Sequence, residues 1–265
     1  MASGKIAFIA SGGGMSCAYS AGAASALQDS GIRPNIFIGS SGSAGTVSYF
    51  ACGEADRATK LWQEEVTNPR VLQKHPLRLD VDFVIDSMRD RFPFDEQRLR
   101  DANTELYLAT TERASIRSRY VSNHEPLNWY DVMRASMATP FVYGRTVQLD
   151  GKLYHDGDIA TSLDDSISLA QSLGASLIYV CDTRSKDSLW QNAKELGLAS
   201  LITFDFIRTL VGEYRKHKVL KDKITAKVIW IKPLRKLPTS IINNNPAAIK
   251  EAIDTGYADT KKLLG

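Results

Sequence analysis

The sequence is poor in the features that mark several functional classes. Its three cysteines, Cys17, Cys52 and Cys181, are an odd number without metal-ligand spacing, and each lies among apolar or small residues. That argues against a disulfide framework or a cysteine-held metal, and it fits buried free thiols in a reducing compartment. No metal and no cofactor is expected. Of four histidines, His75, His124 and His217 stand outside any motif. No apolar run approaches the ~20 residues that cross a bilayer. The start, Met1-Ala2-Ser3-Gly4-Lys5, enters a strand pattern almost at once, without the charged region, apolar stretch and cleavage site of a secretory signal. A cytoplasmic protein is the expectation. The net charge is only +3, and no basic stripe interleaves with aromatics, so nucleic acid is not an expected partner. Repeats, low-complexity tracts and long linkers are absent too.

What remains is an ordinary globular composition, 43 % apolar and 24 % charged, in 265 residues. Lys5-Ile6-Ala7-Phe8-Ile9-Ala10 reads as a buried strand that runs into Ser11-Gly12-Gly13-Gly14 and then a helix from Ala18 to Gln28. A second short apolar run, Ile36-Phe37-Ile38, stops at Gly39-Ser40-Ser41-Gly42-Ser43 before another helical stretch, 45–51. A serine among small residues on such a strand-to-helix turn can be lifted clear of the backbone, because bulky neighbours would collide with the turn. The glycine loop would offer amides to an oxyanion and the serine would be a nucleophile, which suggests acyl transfer.

Further helices are expected over 55–66, 80–88, 129–137, 162–173 and 246–264, with a short one beginning at Asp95 as cap. Strands are expected at 105–111, 116–121, 176–182 and 228–231, and an Asp150-Gly151 turn joins two more within 146–154. This order predicts a three-layer α/β/α sandwich with a mainly parallel central sheet. Residues 1–265 read as one domain, with 57–93 as a helical insertion that could cover the site. A long helical region, 189–220, places Phe204, Phe206, Ile207 and Leu210 before Arg215, Lys216 and Lys218. That stretch suits either peripheral membrane contact or, more plainly, a core-packed helix with a solvated basic end. Tyr154-His155-Asp156-Gly157-Asp158 follows a strand and precedes a helix, so the Asp156 carboxylate sits at a sheet edge within reach of a serine.

Gly12-Gly13-Gly14, Gly39-Ser40-Ser41 and Asp156-Gly157, in that order, resemble the patatin-like phospholipases. The stretch from Met133 to Pro140, the approach Asp150 to Tyr154, residues 170–182 and the tail motifs Ile231-Lys232-Pro233 and Gly256-Tyr257 fit the same family. The resemblance implies a patatin-like fold and a serine hydrolase that cleaves lipid or phospholipid esters. It would work through a Ser–Asp dyad, with Gly12, Gly13 and Gly14 as the oxyanion loop and Gly39 and Ser43 flanking the nucleophile. Two registers compete: without gaps the nucleophile is Ser41, whereas matching Ser-Ala-Gly makes it Ser43. The gapless register keeps the strand-to-elbow distance and favours Ser41. His155, beside Asp156 on a strand, points to the opposite side and has no expected catalytic part.

Two further departures stand out. Ser16 and Cys17 replace the basic residue and glycine that often follow the family's oxyanion loop. Asp158 replaces the last small residue of the aspartate loop, where it either raises the pKa of Asp156 or, on the simpler reading, faces solvent. The rival of another class, a dinucleotide-binding module, fails on Cys17 at the third small position of its fingerprint. It fails again on the lack of an acidic residue after the second strand. A catalytically silent relative that binds lipid or protein is the other alternative.

Overall fold

A computed structural model describes residues 4–74, 77–101, 103–140, 142–183 and 224–265. The expected helical region 189–220, with its basic end and its part in membrane contact, lies outside the described residues. Strand β1 (Lys5–Ala10) is followed by helix α1 (Ala18–Asp29), and β2 (Ile36–Gly39) by α2 (Ala44–Ala51). Both strands are buried on both faces, and alternation divides their side chains between two cores. Phe8, Ala10 and Phe37 pack on one side with Leu27, Val47 and Met133. Ala7, Ile9, Ile36 and Ile38 pack on the other with Leu163, Ile167 and Ala170. Each fully buried large apolar side chain contributes about 1.5–3 kcal/mol, so this two-sided burial fixes which way each strand faces.

Between residues 55 and 93 the chain forms α3 (Ala55–Leu61), a π-turn (Trp62–Val66) and α4 (Val81–Asp90). The π-turn interrupts the helix expected to reach Val66; it buries both Trp62 and Glu65, and Glu65 pairs with Arg91 and accepts from Ser87. A small antiparallel ribbon, β3 (Leu72–Lys74) with β4 (Leu77–Leu79), joins these helices, an addition to the helical insertion expected there. Asp95 caps α5 (Glu96–Leu99) as expected, accepting from the amides of Gln97 and Arg98.

The rest of the sheet comprises β5 (Glu105–Glu112), β6 (Arg117–Ser122), β7 (Val147–Leu149), β8 (Lys152–Asp156), β9 (Ala175–Cys181) and β10 (Lys227–Ile231). Helix α6 (Trp129–Ser136) precedes β7, α7 (Leu163–Ser172) precedes β9, and α8 (Pro246–Leu264) closes the chain. The strand order is β10-β9-β1-β2-β5-β8-β7, with β6 on β5 outside that path. The ladders from β10 to β5 are parallel, and those of β6, β7 and β8 are antiparallel. The protein is therefore a mixed α/β sandwich with a mainly parallel central sheet and helices on both faces, as the sequence pattern predicts.

One junction positions the site. β2 covers β5 only as far as Gly39 opposite Leu108. Beyond that point β8 takes over, with Asp156 opposite Thr110. Because β8 is antiparallel to β5, it runs head-on into the end of β2, with Ala109 alone between the two partners. Gly157 then turns beneath the junction so closely that a methyl group there would fall 2.2 Å from the Ala109 carbonyl oxygen. Only glycine fits.

Helices α1 and α8 pack backbone to backbone. A methyl group at Gly22 would fall 1.9 Å from the carbonyl oxygen of Ile253, and one at Gly256 2.0 Å from that of Tyr19. Overpacking such a contact costs about 1–3 kcal/mol. Gly256→Ala should therefore lower the melting temperature by several degrees, read by scanning calorimetry; an unchanged transition would contradict the close helix contact.

Candidate active site

The elbow begins where β2 ends. Ser40 is extended, and Ser41 turns to φ +49°, a left-handed conformation that a non-glycine residue adopts at a cost of about 1–2 kcal/mol. Gly39 sits where any side chain would strike Val47, a methyl there lying 2.5 Å from a Val47 methyl carbon. Several bonds hold the strained residue. The Ser41 amide donates to Ser136 Oγ at 3.1 Å, and Ser41 Oγ donates to Asp156 Oδ2 at 2.8 Å. Both Ser41 and Asp156 are buried.

Asp156 ends β8 and receives a dense set of donors. Thr139 Oγ1 donates to the same Oδ2 at 2.6 Å, and the Asp158 amide donates to Oδ1 at 3.0 Å. Its own amide donates to the Ala138 carbonyl, and Thr111 Oγ1 donates to its carbonyl. Burial pushes the Asp156 carboxyl up to about 7, and the neighbouring Asp158 charge adds to the shift; the bonds from Thr139, the Asp158 amide and Ser41 oppose it. A carboxyl held near neutrality can take or keep a proton at physiological pH.

Asp158 is exposed, and both readings offered for it apply: its Oδ1 also accepts from Ser40 Oγ at 2.5 Å, and its charge bears on Asp156. Ser40 Oγ in turn accepts from the Gly12 amide at 3.2 Å. That bond commits the Gly12 amide, one of the three donors expected of the glycine loop. Gly13 (φ +151°) and Gly14 (φ +59°) occupy backbone conformations that disfavour side chains, and no hydrogen bond among the described residues engages their amides. The loop is braced on both sides: Thr183 Oγ1 donates to the Gly12 carbonyl at 3.0 Å, and the Met15 amide donates to the Ile241 carbonyl at 3.3 Å.

Ser43, the competing nucleophile, is fully buried and donates its hydroxyl to the Ser11 carbonyl at 2.7 Å, with Ser20 Oγ 3.1 Å away. Its hydrogen bonds fasten the elbow to the glycine loop. His155 pairs through its backbone with Thr111, and its Nδ1 is buried without a hydrogen-bond partner among the described residues. Burial, and then the Arg113 charge, lower its pKa. No cluster of three or more potential metal ligands occurs among the described residues. Among them, too, no helix is long and apolar enough to cross a membrane. Ser136 and Thr139 are the contacts that sequence reasoning did not assign. Both lie in the stretch from Met133 to Pro140 that carries part of the family resemblance, which was the available signal.

Against known families, the patatin-like phospholipase model matches residues 9–164, from β1 through the glycine loop and elbow to Asp156 and the first turn of α7. The chain belongs to the patatin-like phospholipase family. Among curated relatives it is 27 % identical over 191 residues to the uncharacterized protein YjjU of Escherichia coli (strain K12), covering 68 % of this chain and 52 % of that protein. The chain thus spans about half the length of that relative. Among solved structures it resembles VipD from Legionella pneumophila, with a TM-score of 0.56 at 15 % identity, over 98 % of this chain and 66 % of VipD. A human cytosolic phospholipase A2 of group IVD aligns with a TM-score of 0.47 at 14 % identity, over 98 % of this chain and 58 % of that one. The likeness to VipD is one of fold, and it matches the mainly parallel sheet flanked by helices.

The two charge effects on Asp156 can be read separately. Carbon-13 titration of the Asp156 carboxyl should give a midpoint of about 7. Asp158→Asn removes a like charge and should lower it, whereas Thr139→Val removes a donor to the carboxylate and should raise it. A wild-type midpoint in the ordinary range near 4 would contradict the buried setting.

Proposed function

We propose that this chain is a serine acyl hydrolase that cleaves carboxylic esters of lipids or phospholipids, with Ser41 as nucleophile and Asp156 as its general base. The observation that carries the reading is the 2.8 Å hydrogen bond from Ser41 Oγ to Asp156 Oδ2 on a strained elbow. Family membership supplies the substrate class. In acylation Ser41 Oγ forms a bond to the ester carbonyl carbon as its proton passes to Asp156, and the carbonyl oxygen gains the negative charge. The amides of Gly13 and Gly14 are the donors for that oxyanion, each worth about 3–4 kcal/mol of barrier in well-aligned sites. Collapse breaks the ester C–O bond, and the departing alcohol takes the proton from Asp156. Water then attacks the acyl-enzyme carbonyl and gives a proton to Asp156; as the acyl–Oγ bond breaks, Asp156 returns that proton to Ser41 Oγ and the fatty acid leaves.

The roles of the other residues follow. Thr139 holds the Asp156 carboxylate, Ser136 holds the Ser41 amide, and Ser43 is structural. Because Asp156 acts as a base, activity requires its ionised form, so kcat/KM rises with pH through about 7. Contact with a membrane surface would bring such an enzyme to its substrate, and that contact belongs to the same proposal.

Hydrolysis of p-nitrophenyl butyrate and of phosphatidylcholine vesicles tests the assignment. Ser41→Ala and Asp156→Asn should each reduce kcat by on the order of 10³-fold or more, and Ser43→Ala should stay within about tenfold of wild type. Activity that survives Ser41→Ala overturns the nucleophile. A wild-type chain that hydrolyses neither substrate would favour the silent lipid- or protein-binding alternative.

A further inference from the structure

Beside Ser41 and Asp156 lies a second serine–aspartate contact that the proposed chemistry does not use. Ser40 is buried, and its hydroxyl stands between three segments. It donates to Asp158 Oδ1 at 2.5 Å, on the loop after β8, and it accepts from the Gly12 amide at 3.2 Å, on the loop after β1. Ser40 itself ends the approach to the elbow after β2. The Asp158 amide meanwhile donates to Asp156 Oδ1. Asp158 also fills the space beside Gly12 so tightly that a methyl group there would fall 1.8 Å from its Oδ2. One hydroxyl thus links the residue before Ser41, the residue before Gly13 and the residue two beyond Asp156.

We infer that Ser40 and Asp158 are positioning residues, and that their bridge sets the distance between the amides of Gly13 and Gly14 and the Ser41 hydroxyl. The inference rests on the ester-hydrolase reading above. Its physical basis is that the glycine loop cannot hold itself. Gly12, Gly13 and Gly14 carry no side chains to lock their backbone, and glycine leaves the largest conformational freedom to be removed. The loop is therefore fastened from outside at three places. Thr183 holds the Gly12 carbonyl, Ile241 holds the Met15 amide, and Ser40 holds the Gly12 amide. Of these, only the Ser40 bond ties the loop to the elbow and the aspartate loop together. A bond to a carboxylate is stronger and shorter than one between neutral groups, which suits Asp158 to anchor the hydroxyl. Ser43 makes a parallel tie one residue upstream, from Ser11 to the elbow. The Ser40 bridge adds the aspartate loop to that assembly, so nucleophile, base and oxyanion donors share one frame.

Misplacement of a catalytic group by about 1 Å can cost on the order of 100-fold in rate. Ser40→Ala should therefore lower kcat for p-nitrophenyl butyrate by about 10- to 100-fold with KM within about twofold, since the loss falls on transition-state geometry. Ser40→Thr, which keeps the hydroxyl, should recover kcat to within a few fold. Compared well above the Asp156 midpoint, where loss of the Asp158 charge no longer changes the ionisation of the base, Asp158→Ala should match Ser40→Ala, and the double variant should be no worse than either single, because both remove one bridge. Hydrogen exchange gives a readout that does not depend on turnover: the peptide containing Gly12 to Gly14 should exchange faster in Ser40→Ala than in wild type. Unchanged kcat, additive losses in the double variant, or unchanged exchange in that peptide each overturn the inference. A wild-type chain without esterase activity instead overturns the hydrolase reading. The exchange comparison then still decides whether the bridge holds the loop.

Discussion

The constraint on which the site depends is the head-on meeting of two strands along one edge of β5. β2 and β8 arrive from opposite directions, and a single β5 residue, Ala109, lies between their last partners. Neither strand can advance without colliding with the other, so each ends in a turn at the same place. Ser41 heads one turn and Asp156 closes the other, and the 2.8 Å bond between them is the consequence. The parallel half of the sheet supplies the hydroxyl, and the antiparallel half supplies the carboxylate. The small residues Gly39 and Gly157 allow the approach.

The energetics of the junction are opposed by design. Ser41 holds a left-handed backbone that costs about 1–2 kcal/mol, and Asp156 gives up solvation to be buried. Both costs are met locally: the Ser41 amide and hydroxyl each have a partner, and the Asp156 carboxylate accepts three bonds. The balance leaves Asp156 well above the ordinary carboxylate range, where its proton can move. An isolated surface aspartate would be a weaker base and would need no such scaffold. The groups around it, from Thr139 to Asp158, tune the carboxylate as well as holding it.

Much of this was legible in the residues. The two-sided apolar runs at β1, β2 and β9, the Asp150-Gly151 turn and the Asp95 cap carry local signals, and the structure follows them. At the elbow, Ser41 Oγ is bonded to the Asp156 carboxylate and Ser43 Oγ to the Ser11 carbonyl. Local pattern could not separate the two serines by chemistry, because the bond that occupies Ser43 comes from Ser11, 32 residues away. Ser136 meets the Ser41 amide across 95 residues, and Asp158 meets Ser40 across 118; neither distance leaves a trace in periodicity. The ribbon of β3 and β4 leaves no sequence signal because each strand is only three residues long, too short to show alternation. The π-turn at Trp62–Val66 escaped for another reason: a helix pattern does not reveal that Glu65 will be buried against Ser87 and Arg91.

The central claim is that Ser41 is a nucleophile activated by a base held near neutrality. A fluorophosphonate probe reads both parts at once, when the rate of covalent labelling is followed against pH and the tagged peptide is sequenced by mass spectrometry. The account predicts a tag on Ser41 and a labelling rate that climbs with pH through a midpoint of about 7. A tag on Ser43 or elsewhere, or a rate flat across that range, would contradict it.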